Sequence, residues 1–179
     1  PDLPVPRVIA GQGGGREFRL PSGSVVRLLT WLDGRPLHSV PRSPALRRSV
    51  GATAARLTRA LDGFAHPAED HELIWDIRNA GKLRPLLPSV ADPGLRAGCA
   101  AALDRFDAET GPALARLPWQ VVHADLNPHN LLTDEDARQI AGVLDFGDMV
   151  RTARVCDLAV AASYHADPAD PLGTLAEVI

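Results

Sequence analysis

Between Val121 and Leu132 the chain reads VVHADLNPHNLL, which sets a histidine, an aspartate, two asparagines and a second histidine between two apolar pairs. Asp145 follows fifteen residues after Asn130, inside LDFGD, and Asp157 stands just before the apolar run LAVAA. Strands that run inward and stop at a polar loop commonly carry functional groups, because the rigid element fixes what the loop presents. If Leu131-Leu132 and Ile140 to Leu144 are the arms of a hairpin with TDEDARQ at its tip, Asn130 and Asp145 meet at its open end, with Asp125 on the loop beside them. Three oxygen-bearing side chains at one place suit a hard divalent cation that keeps some waters and shares phosphate oxygens, the habit of Mg²⁺. The chemistry this points to is phosphoryl transfer.

The other polar residues of this region carry plainer readings. His123 alternates with buried positions and reads as a packed, hydrogen-bonded structural histidine. His129 either contacts phosphate or caps the loop. Asp148 stays outside the metal set. The run GQGGG, Gly11 to Gly15, has neither the spacing of a phosphate loop nor a helix after it, and reads as a hairpin turn.

The positioning elements follow from pattern. Strands are expected around Arg7 to Ala10, Glu17 to Leu20 and Val25 to Trp31, with a Pro-Ser-Gly turn between the last two. Three short strands with little helix nearby leave an open edge and an uncovered face, so neighbouring strands are expected outside this sequence. From Ser43, a Ser-Pro start followed by Leu46, Val50, Leu57 and Leu61 on one face predicts an amphipathic helix. A looser segment follows, with Trp75 as its expected anchor. A second long helix starts at Asp92-Pro93 and is expected to break near Gly111-Pro112.

A chain of 179 residues, 45% hydrophobic with a net charge of -3, buries one sizeable core and reads as a soluble globular protein. No Lys/Arg-rich run suggests a nucleic-acid groove, and no apolar run approaches the roughly 20 residues that span a bilayer. The two cysteines, Cys99 and Cys156, form no metal or redox spacing and read as buried thiols in a reducing cytoplasm.

The segments VRLLTWLDGRPL, IWDIRNA, VVHADLNPHNLL and GVLDFGDMVRTARVCDLAVA together resemble the aminoglycoside phosphotransferase-like small-molecule kinases and, among them, the hydroxylysine kinases. The resemblance implies an α+β, protein-kinase-like fold. Residues 1–34 would be the last strands of an incomplete N-terminal lobe and the hinge; residues 35–179 would be a helical C-terminal lobe cut short at its end. It implies Asp125 as the catalytic base, Asn130 and Asp145 as Mg²⁺ ligands, Asp157 as a brace of the catalytic loop, and Leu29, Thr30, Trp31 and Leu32 as the hinge that meets the adenine of ATP. The partner implied is a small hydroxyl-bearing molecule, an amino-alcohol such as hydroxylysine, and the parent chain of such a kinase can carry an aminotransferase-like domain. The phosphate-covering loop and phosphate-contacting lysine of the family have no counterpart here, since the only lysine is Lys82. The alternative is a kinase-fold module that binds nucleotide or a partner without catalysis.

Overall fold

The computed structural model describes residues 3–179. The chain opens with one long hairpin built from β1 (Val8–Ile9), β2 (Phe18–Arg19), β3 (Val25–Val26) and β4 (Leu28–Leu29). Its tip is the Pro-Ser-Gly turn, where Gly23 N donates to Leu20 O at 2.9 Å. β2 pairs antiparallel with β3, and β1 pairs with β4. The single strand expected from Val25 to Trp31 is thus two strands, separated at Arg27 where the partner changes. GQGGG is not the hairpin turn expected of it. It loops out of one arm and closes on itself, with Gly11 N donating to Gly15 O and Gly14 N to Gly11 O. The apolar side chains of this hairpin, Phe18, Val26 and Leu28 among them, are exposed.

Ser43 caps the next element, its hydroxyl accepting from Leu46 N at 3.2 Å, and Pro44 supplies a first turn that needs no N–H. The helix α1 (Pro44–Ala60) buries Leu46, Val50, Ala54 and Leu57 as one stripe, with Leu61 half-buried at its end. This stripe, with Leu37, Leu131 and Val143, forms the main core. Gly51 belongs to it because a Cβ there would lie 1.6 Å from Val178 O, so only glycine admits the C-terminal segment.

The core's floor is a three-stranded sheet of β5 (Arg35–Pro36), β7 (Leu131–Thr133) and β8 (Ile140–Val143), in the order β5-β7-β8. The β7–β8 hairpin has the expected arms, with Leu131 opposite Val143 and Leu132 opposite Gly142. β5 reaches β7 through Gly34, whose φ of 152° and approach to Thr133 O leave no room for a side chain.

Between α1 and the polar loop, the anchor differs from expectation. Leu73 and Asp76 are buried, while Trp75 is exposed. A 3-10 stretch over Ile77–Ser89 leads to α2 (Pro93–Arg105), capped by Asp92 accepting from Leu95 N. The expected break does not interrupt the coil. A π turn over Phe106–Thr110, in which Gly111 N donates to Phe106 O, widens it and carries it into α3 (Gly111–Leu114). That wide turn accommodates Pro112, whose ring would collide with the preceding turn of a regular α-helix.

A second ladder pairs β6 (Trp119–Val122) with β9 (Val150–Ala153), from Trp119 opposite Ala153 to Val122 opposite Val150. The helices α4 (Val155–Ser163) and α5 (Pro171–Ala176) complete the described chain. Among the described residues no helix is long and apolar enough to cross a membrane. The polar loop therefore runs from the end of β6 to the start of β7, and the Asp145 segment from the end of β8 to the start of β9.

Candidate active site

β6 delivers His123 into the interior, where it is fully buried. Its Nε2–H donates to Leu144 O at 2.9 Å, and Nδ1 accepts from Asp125 N at 3.3 Å, a pattern that one neutral tautomer satisfies. Phe146 meets the ring edge-on at 4.8 Å. The next residue, Ala124, takes a left-handed φ of 67°, an unfavourable backbone for a residue with a Cβ. Asp157 offsets that cost from α4: its carboxylate accepts from Ala124 N at 2.8 Å and from His123 N at 3.4 Å. Burial pushes the Asp157 carboxyl up from its ordinary value, against the opposing pull of the Ala124 amide and of His123.

The turn at Ala124 brings Asp125 out of the core to a half-buried position. Asn127 Nδ2 donates to its Oδ1 at 2.7 Å, and Asn130 Nδ2 donates to its Oδ2 at 2.8 Å and to its backbone carbonyl at 3.0 Å. Asn127 Oδ1 in turn accepts from His129 N at 2.7 Å. The Asp125 carboxylate is thereby fixed from both sides with acceptor capacity left on each oxygen. Leu144 N donates to Asn130 O at 2.8 Å, so the backbones of Asn130 and of the residue before Asp145 are hydrogen-bonded at the open end of the β7–β8 hairpin. Asp145 has a φ of 57°, and its Oδ1 accepts from Gly147 N at 3.1 Å.

Two clefts open beside this loop. The larger, about 590 Å³, is walled by Leu29, Thr30, Trp31 and Leu32 on one side and by Leu132 and Leu144 on another. Leu29 lies in the β1–β4 ladder, and Thr30 N donates to Arg7 O, so of the four residues expected to form a hinge only Trp31 and Leu32 are without backbone hydrogen bonds among the described residues. His38 and His129 also line this cleft, stacked with ring centroids 4.1 Å apart. The smaller cleft, about 370 Å³, is lined by Ala124 and Asp125 of the loop and shares no lining residue with the larger one. His38, Asn127, Trp75 and Tyr164, which line these clefts or hold Asp125, were not named as site residues. Asn127 stands two residues after Asp125 and Trp75 lies in IWDIRNA, while nothing in the sequence marks His38 or Tyr164.

A profile of the phosphotransferase enzyme family matches residues 1–177. The chain belongs to that family. Hydroxylysine kinase of Mus musculus is 31% identical over 151 residues, covering 78% of this chain and 40% of that protein. Aminoglycoside phosphotransferase from Alicyclobacillus acidocaldarius superposes with a TM-score of 0.64 at 16% identity, over 98% of this chain and 57% of that one. Aminoglycoside phosphotransferase APH(3'')-Id from Streptomyces rimosus, in complex with ADP and streptomycin, superposes with a TM-score of 0.55 at 19% identity, over 91% of this chain and 61% of that one. The fold is protein-kinase-like. The chain spans about 40% of the length of the curated relatives it matches.

Proposed function

We propose that the protein carrying this chain is a cytoplasmic kinase that moves the γ-phosphate of ATP to a hydroxyl of a small molecule, an amino-alcohol such as hydroxylysine. The observation that carries this reading is the Asp125 carboxylate, held by Asn127 and Asn130 and facing a cleft separate from the hinge cleft. A transferase needs two binding spaces served by one reacting position, and the loop from His123 to Asn130 lends Ala124 and Asp125 to one cleft and His129 to the other.

In this reading the adenine lies between the backbone of Trp31 and Leu32 and the side chains of Leu132 and Leu144. Asp125 accepts the proton of the acceptor hydroxyl, or orients that hydroxyl, as its oxygen attacks the γ-phosphorus and the bond to the ADP oxygen breaks. His123 and Asp157 keep the loop in shape without touching substrate. Among the described residues no three His, Cys, Asp or Glu side chains converge as a metal site, but two oxygens here have the donor chemistry of a hard cation that keeps waters and shares phosphate oxygens. The Asn130 NH₂ is committed to Asp125, which leaves Oδ1 as the free atom of that amide, and Asp145 Oδ2 carries no hydrogen bond among the described residues. Asn130 and Asp145 would hold Mg²⁺, which when bound neutralises charge on the phosphate oxygens. Residues 1–34, of which 1 and 2 lie outside the described residues, then belong to the upper lobe and its hinge, and residues 35–179 to the lower lobe. The two free thiols, Cys156 buried, suit a reducing compartment.

One observation favours the second reading, a nucleotide- or partner-binding module without catalysis: Lys82, the only lysine, pairs with Glu72 at 2.9 Å and lines neither cleft. Asp125→Asn separates the two. Under the kinase reading turnover falls by roughly 10²–10⁴-fold while nucleotide affinity stays within about twofold. Wild-type protein that binds ATP but transfers no phosphate to any amino-alcohol supports the module.

A further inference from the structure

The cleft beside Asp125 is lined by Trp75, Ala124, Asp125, Val160, Ser163 and Tyr164. Among the described residues its lining contains no Lys, Arg or His, and the Asp125 carboxylate is the one formal charge on it. Two large aromatic side chains stay open to it, Trp75 at 53% exposure and Tyr164 at 43%. Leaving an indole wet forgoes a large apolar burial, which a ligand lying against the ring recovers.

The chain around Trp75 is fixed on both sides. Leu73 is buried, and its carbonyl accepts from Asn79 Nδ2 at 2.8 Å and from Asp76 N at 3.1 Å. Asp76 is buried too, its Oδ1 accepting from Arg78 N and Thr152 Oγ1, each at 3.0 Å, and its Oδ2 lying 2.7 Å from Arg78 Nε. Trp75 stands between these anchors and cannot turn inward without breaking them. Tyr164 is the C-cap of α4, the helix that carries Asp157. The Ser163 hydroxyl turns back to Val160 O at 2.8 Å, so the rings are the main features this wall offers a ligand.

The geometry points to Trp75 and Tyr164 as the residues that select the acceptor, which is an aliphatic hydroxy-amine with its hydroxyl at Asp125 and its methylenes and ammonium against the two rings. This rests on the kinase reading and adds to it the residues and the charge class. Ring faces attract an ammonium through their quadrupole and shed water from methylenes. One negative charge and no positive one disfavours an acceptor of net negative charge.

The test uses the full protein with three acceptors: a hydroxy-amine, its N-acetylated neutral analogue, and a hydroxy acid of the same length lacking the amine. Acceptor and ATP KM are measured by steady-state kinetics, and acceptor binding by calorimetry. Trp75→Ala is expected to raise the hydroxy-amine KM about tenfold, to leave the ATP KM within about twofold, and to erase the preference for the amine over its N-acetyl analogue. Trp75→Phe, which keeps a ring and the fold, stays within about threefold of wild type. Unchanged hydroxy-amine KM in Trp75→Ala, or equal losses for the amine and its N-acetyl analogue, overturns the inference while leaving kinase activity standing. A wild-type protein that transfers no phosphate but binds the hydroxy-amine in a Trp75-dependent way refutes the kinase reading and overturns acceptor selection with it, leaving the two rings as an amine-binding wall. Wild-type protein that binds no hydroxy-amine overturns it.

Discussion

Asn130 donates from one amide nitrogen to Asp125 Oδ2 at 2.8 Å and to the Asp125 carbonyl at 3.0 Å. The same side chain therefore fixes the proposed base and presents its oxygen to the proposed cation. Asn130→Ala removes both functions, so turnover is expected to fall by about 10²-fold or more, and the Mg²⁺ concentration for half-maximal activity to rise roughly 10–100-fold. A magnesium titration of turnover measures this. A lower rate with an unshifted magnesium midpoint leaves Asn130 as a positioning residue only.

The tie from Asp157 to Ala124 and His123 makes a different prediction, on stability. Asp157→Ala leaves two buried backbone N–H groups without their acceptor and withdraws the support of a left-handed alanine. The expected loss is roughly 2–5 kcal/mol, read from urea unfolding. Asp157→Asn keeps one acceptor oxygen and is expected to lose less. Equal stability of wild type and Asp157→Ala contradicts the bracing role.

His165 supplies the pH dependence. It is buried just after α4, its Nδ1 has no hydrogen-bond partner among the described residues, and burial together with Arg42 and Arg47 lowers its pKa from 6.5 to about 4. Between those values the unfolded chain binds the proton and the folded chain does not, so this group's contribution makes stability rise with pH across the window. It is lost progressively as pH falls from 6.5 toward about 4. Asp157, raised by burial, acts in the opposite direction in acid, so the informative quantity is the difference between wild type and His165→Leu. That difference in melting temperature is expected to move against wild type on going from neutral pH to pH ~5. A difference that stays constant with pH refutes the assignment.

What could be seen in the sequence was local. Ser43-Pro44 with Leu46, Val50 and Leu57 marks α1 because cap and stripe lie within one element, and the arms of the β7–β8 hairpin lie either side of one charged turn. The β6–β9 ladder was hidden because Val150–Ala153 carries an arginine and a threonine, and the buried Thr152 gives its hydroxyl to Asp76, a residue far away along the chain. The same pairing inverts the hydropathy of Trp75 and Asp76, placing the carboxylate inside and the indole outside. Nothing adjacent in sequence signals the stack of His38 on His129 either, since tertiary folding alone brings the two rings together. The candidate loop was legible because it is short and polar between apolar pairs. Its acceptor wall was not, because Trp75 and Tyr164 reach it from elements far away along the chain.

The hinge cleft yields the last prediction. Its apolar walls are Leu29, Trp31, Leu132 and Leu144, but the hairpin above it keeps Val26, Leu28 and Phe18 in solvent, and Trp31 is 87% exposed. Adenine bound there stays wet on one side, and no lysine stands in the cleft to neutralise phosphate. The 179-residue chain assayed alone is therefore expected to bind ATP with Mg²⁺ only weakly, with a Kd of ~1 mM or above, and to turn over far more slowly than a form of the protein as long as its curated relatives. Calorimetric titration with ATP and Mg²⁺, run beside a kinase assay of both forms, measures both quantities. Micromolar binding and matching turnover by the 179-residue chain would show that a covered hairpin and a phosphate-contacting lysine are unnecessary for this site.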